Sequence, residues 1–86
     1  MPEISRFFGI IIKMYYKEHN PPHFHAEYQE YKAEYDIHTL ELISGELPKR
    51  ANALVLEWAA EHRAELIENW ERALKQIELS KINPLI

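Results

Sequence analysis

The chain is 86 residues long, 47% hydrophobic and 28% charged, with no cysteine and a net charge of −4. That length leaves room for one hydrophobic core, so a single domain over residues 1–86 is expected. The missing cysteines exclude disulfides, thiolate metal sites and cysteine nucleophiles, and their absence from so small a domain favours the cytoplasm over a secreted life. The acidic balance argues against a dedicated nucleic-acid binder, which carries a basic face.

The acidity is uneven. Up to Leu47 the cations are Arg6, Lys13, Lys17 and Lys32, against eight Asp and Glu; from Pro48 onward there are six of each sign. The longest apolar run, Phe7–Ile12, is interrupted only by Gly9. It is far shorter than the ~20 residues that span a bilayer, so no membrane partner is expected.

Residues Ile4–Tyr16 are rich in aromatic and β-branched types, which suits a strand. Their near-continuous apolar character predicts burial on both faces and a central place in the sheet, with Gly9 marking a bulge or close approach. Glu18-His19-Asn20-Pro21-Pro22 reads as a stiff loop, since proline cannot donate to a strand ladder and restricts the residue before it. His23–Tyr28 alternates, with Phe24, Ala26 and Tyr28 on one face and His23, His25 and Glu27 on the other. After a tight turn at Gln29-Glu30, Tyr31–Ile37 alternates again. Leu40–Ile43 follows, and Ser44-Gly45 ends the meander.

At Pro48 the period changes. Ala51, Leu54, Val55, Trp58, Ala59 and His62 recur at spacings of three and four, and the stripe runs on through Leu66, Trp70, Ala73, Leu74 and Ile77. This is amphipathic helix. One helix over residues 48–79 would be roughly 48 Å long, too long for so small a domain, so a break near His62–Glu65 is predicted. The fold expected is α+β: an antiparallel sheet of about four strands in residues 4–47, then two C-terminal amphipathic helices in 48–79 packed on one face.

The unusual chemistry lies between His19 and Glu27. In a strand, His23 and His25 project to one side about 7 Å apart, and Glu27 continues the row. His19 can fold back across the prolines. His19, His23, His25 and Glu27 are therefore candidate ligands for a divalent metal such as Zn or Ni. His19, His23 and His25, with Arg6, are equally candidates for acid–base catalysis. A purely structural histidine row, or a contact surface, explains the same pattern. His38 reads as a turn residue, His62 as part of the helix stripe, and Trp58 and Trp70 as core. No Gly-rich phosphate loop or nucleophile elbow is present.

Several segments together resemble a known family: Ile4-Ser5-Arg6-Phe7-Phe8-Gly9-Ile10, Glu18-His19-Asn20-Pro21-Pro22-His23-Phe24-His25-Ala26-Glu27-Tyr28, Gly45-Glu46-Leu47-Pro48-Lys49-Arg50, Glu57-Trp58-Ala59 and Asn69-Trp70. The likeness, from about Met1 to Leu74, is to the bacterial domain-of-unknown-function family 4160. Its signature falls on Arg6, Gly9, His19, Pro21, Pro22, His23, His25 and Tyr28. The resemblance implies a component of a toxin–antitoxin-like module that acts through a small partner protein of the domain-of-unknown-function family 2442 type, with RNA as a conceivable target that the charge does not support. At Gln29-Glu30 the sequence departs from relatives that tend to have glycine there. Two other readings stand beside this one: a small His-based metal-binding protein, and a non-catalytic homodimeric interaction module suggested by the long apolar helix stripe.

Overall fold

The computed structural model describes residues 3–86; Met1 and Pro2, inside the expected domain, lie outside the described residues. Five antiparallel strands follow one another as a meander: β1 (Glu3–Phe7), β2 (Ile10–Lys13), β3 (His23–Tyr28), β4 (Tyr31–Asp36) and β5 (Leu42–Gly45). Two helices complete the chain, α1 (Lys49–Glu61) and α2 (Arg63–Leu74). This is the expected α+β architecture, with five strands where about four were expected.

The additional strand comes from residues 4–16. They do not form one central strand. Phe8 and Gly9 both take positive φ, 51° and 79°, the combination of a two-residue hairpin turn that suits right-twisted strands. The apolar run is therefore folded on itself, and β1 becomes an edge strand. Its burial comes from the helices and the C-terminal tail, which is why its composition looked central. The turn at Gln29-Glu30 stays two residues long without glycine, with Gln29 itself at φ 53° and Tyr28 paired to Tyr31.

Alternation then builds the core. Ile10, Ile12, Phe24, Ala26, Ala33 and Tyr35 are buried on one face, together with Val55, Trp58 and Ala59 of α1 and Leu66, Trp70 and Ala73 of α2. Phe24 stacks on its cross-strand partner Tyr35 and meets Trp58 edge-on. The apolar stripe that suggested a homodimer is largely consumed inside the chain.

The helix stripe breaks at His62, whose backbone leaves helical geometry (φ −118°, ψ 23°). The molecule measures 33 × 25 × 22 Å, so only a bend lets both halves of the stripe reach the core. The second helix ends earlier than residue 79. Gln76 takes φ 58° and the Ile77 N–H bonds back to the Arg72 carbonyl, a left-handed C-terminal closure. Leu74 and Ile77, expected on the buried stripe, are exposed. Beyond this stop the tail returns to the sheet, where the Ile82 N–H bonds to the Ile4 carbonyl.

Candidate metal centre

The open face of the sheet carries a row of polar side chains. Register places Lys13 opposite His25, His25 opposite Glu34, and Glu34 opposite Ser44. Glu18, in the loop between β2 and β3, folds onto this row. Its Oε1 lies 2.5 Å from His25 Nε2 and 3.4 Å from His23 Nε2. Glu18, His23 and His25 present one donor atom each within 4.8 Å of one another, a set that could hold a metal ion.

His23 is the anchored member. Its Nδ1 donates to the Pro21 carbonyl at 2.8 Å; a carbonyl only accepts, so the proton sits on Nδ1 and the remaining position is Nε2. Its ring also packs 5.2 Å from Trp70 of α2, and the residue is buried. Strand alternation alone would have left His23 on the open face. The Trp70 indole covers it instead. His25 is half-buried, with Tyr15 edge-on to its ring at 4.7 Å and His23 at 5.2 Å.

The electrostatics of the cluster are one-sided. His23 Nε2 faces two carboxylates, Glu18 at 3.4 Å and Glu34 at 3.7 Å. With Nδ1 committed as donor, a neutral His23 would point a lone pair at both. A proton shared with either carboxylate, or a metal ion held between these atoms, would relieve that opposition. Burial opposes ionisation of Glu18, but the hydrogen bond and charge of His25, together with His23, outweigh it and hold the carboxyl below its ordinary value.

The expected ligands divide. His23 and His25 meet in the cluster. Glu27 does not join them, because its carboxylate is held by Lys13, with both oxygens 3.1 Å from Nζ. His19 is exposed and lines a neighbouring cleft of about 240 Å3 with Glu18, Pro21, His23, Glu34 and Ile43. Arg6, the exposed residue of β1, pairs with Glu3 at 2.8 Å and, among the described residues, contacts no histidine. His38 sits in the turn after β4, and the His62 Nδ1 meets Glu65 while its ring packs on Trp58. Glu18 was the ligand missed. The available signal was its place in the same stiff loop as His19, where an acid five residues before His23 can be carried back to it.

A second concavity, of about 400 Å3, is lined by His25 with Tyr15, Glu27, Lys32, Glu34 and Ser44 among others. The two concavities share Glu34, and each takes in part of the cluster. No helix among the described residues is long and apolar enough to cross a membrane.

A family model described as Domain of unknown function (DUF4160) matches residues 9–71. No curated protein and no solved structure matches the chain.

Proposed function

The chain belongs to the family described as Domain of unknown function (DUF4160), and from the geometry of its histidine cluster we propose that it binds a divalent transition metal, zinc or nickel, through Glu18, His23 and His25. The observation that carries this is the fixed tautomer of His23, which turns Nε2 toward Glu18 and Glu34. A second contact that orients a ligating imidazole is the usual support of a metal site. Ligand atoms around a tetrahedral zinc lie about 3.3 Å apart, given bonds of 2.0–2.1 Å. The His23–Glu18 separation of 3.4 Å already matches. The His25–Glu18 contact is shorter, and the three donor atoms together span up to 4.8 Å, so binding would draw the set toward that common spacing. Two histidines and one carboxylate leave at least one position free toward the clefts, as in a site that acts on a bound water or substrate.

Metal analysis of tag-free protein tests the reading. Close to one equivalent of zinc or nickel is expected, with a rise in melting temperature on adding metal. Uptake should weaken as pH falls, because the metal displaces protons. Glu18→Gln and His25→Ala should each lower affinity at least about tenfold, whereas Glu27→Gln and His19→Ala should not. Less than a tenth of an equivalent bound, with no thermal shift, would leave a protonated histidine–carboxylate network as the correct account.

A second reading is a component of a toxin–antitoxin-like module that works through a small partner protein. What supports it is a strand edge with exposed apolar residues, Leu42 and Ile43, beside the family resemblance. Co-expression with a small neighbouring protein of the domain-of-unknown-function family 2442 type tests it. Co-purification and an effect on growth are expected; neither occurring would sink the reading.

A further inference from the structure

The two edges of the sheet are not alike. β1 is met by the C-terminal tail. β5 pairs with β4 on one side, and among the described residues no strand follows its other side. All four β5 residues are exposed, Leu42 by 49% and Ile43 by 45%. Proteins usually blunt such an edge with lysine, proline or a bulge, because its free N–H and C=O groups template another strand. β5 has neither lysine nor proline. It has a register shift opposite Glu34–Tyr35, and this leaves Ile43 lining the cleft of Glu18, His23 and Glu34.

Charge selects the occupant. Residues 41–46, Glu-Leu-Ile-Ser-Gly-Glu, hold two carboxylates and no cation. A second copy, paired antiparallel about the strand centre, would set Glu41 opposite Glu46 on both sides of the two-fold, and like charges directly opposite are destabilising. A nucleic acid backbone would be repelled for the same reason. An extended peptide with Lys or Arg at both ends and apolar residues between satisfies the free backbone, the exposed Leu42 and Ile43, and both carboxylates at once.

We propose that the outer edge of β5 accepts an extended segment of a basic partner protein as a sixth strand. Glu41 and Glu46 lie five residues apart, about 17 Å at ~3.4 Å per residue, so the matching cations are spaced by about five positions. Strand addition of this kind takes affinity from main-chain hydrogen bonds and specificity from side-chain pockets. The added strand would wall the cleft that Ile43 shares with Glu18 and His23. The inference gives the partner reading its surface and rests on that reading, while standing apart from the metal reading.

The test uses two synthetic six-residue peptides with valine and threonine between the ends, one ending in lysines and one in glutamates. Backbone amide exchange is followed residue by residue in the full chain. The lysine-ended peptide should bind and slow exchange at Leu42 and Gly45, whose N–H groups the register turns outward; the glutamate-ended one should do neither. Glu41→Lys with Glu46→Lys should weaken the lysine-ended peptide by about fivefold or more, the size expected of two exposed ion pairs, and admit the other. Ile43→Lys should abolish protection. Equal binding of both peptides, or binding without protection at Leu42 and Gly45, overturns the proposal. So does a dimer of the free chain that Ile43→Lys dissolves, which would make the occupant a second copy. A co-expressed partner that still co-purifies with the Ile43→Lys chain overturns this edge and leaves the partner reading standing. Failure of that partner to co-purify, with the lysine-ended peptide still protecting β5, rejects that partner and keeps the edge.

Discussion

β1 and β5 close the sheet at opposite ends, and the chain treats them in opposite ways. At β1 the tail supplies the Ile82 N–H to the Ile4 carbonyl and Lys81 Nζ to the Glu3 carbonyl. The tail is in turn held by the helices. Asn69, 1% exposed, donates to the Ser80 carbonyl and accepts from the Ser80 N–H, and Trp58 Nε1 donates to the Asn83 carbonyl. Arg72 adds the Ser80 hydroxyl. So the polar atoms buried on the helices serve the closed edge. At β5 nothing comparable exists among the described residues, and that bare edge adjoins the histidine cluster. The comparison teaches that stability is concentrated at one side of the sheet and access at the other.

Removing the tail should have the largest effect. A chain ending at Gln76 loses buried Ile82 and orphans Asn69 and Trp58 Nε1. Truncating a buried aliphatic residue costs about 2–5 kcal/mol, and each buried polar group left unpaired about 1–3 kcal/mol. Thermal melting should show loss of most of the stability, and light scattering should show association through the uncovered β1. A truncated chain that melts like the intact one would dissolve the distinction between the edges.

Asn69→Ala tests the same anchor more gently. It removes both hydrogen bonds by which the buried Asn69 side chain holds Ser80, at about 2 kcal/mol, read from a denaturant midpoint at unchanged slope. A cost under about 0.5 kcal/mol would mean that the tail is held mainly by Ile82.

Between the edges, Tyr35 gives a pH-dependent check. Its hydroxyl donates to Asn52 Oδ1 at 2.6 Å, and burial pushes its pKa up to about 12. A raised folded-state value for a phenol favours the neutral form in the fold. That stability is complete below the ordinary value of about 10 and is lost as pH climbs from about 10 to about 12. Unfolding free energy should fall through that window on the order of 2–3 kcal/mol, and Tyr35→Phe should flatten the fall. An unchanged profile in Tyr35→Phe would assign alkaline unfolding to the lysines instead.

Much of this was readable from the residue order. The alternation of His23–Tyr28 and Tyr31–Ile37 gave two strands, and the three-and-four spacing with a length limit gave two helices bent at His62. Composition could not separate a central strand from an edge strand buried by distant residues, so β1 and β2 looked like one. The helix end was misjudged because Leu74 and Ile77 continue the apolar spacing, while the closure at Gln76 depends on a left-handed backbone that glutamine does not announce. At the site, His23 and His25 were visible as a pair on one face. Glu18 for Glu27 was not, because Lys13 claims Glu27 from the neighbouring strand, and which strand neighbours which is a tertiary fact.

The smallest effect expected is at the bare edge. Ile43→Lys replaces a 45% exposed side chain on a strand that has a neighbour on one side only. Surface changes of this sort stay within about ±0.5 kcal/mol, so the melting temperature should barely move. A lysine on an open edge also opposes pairing with other chains, so resistance to aggregation should rise. If this substitution instead destabilised the fold by more than about 1 kcal/mol, Ile43 would be packing within the chain. The edge of β5 would then be closed in its own way, and the asymmetry between the two sides of the sheet would be one of means rather than of function.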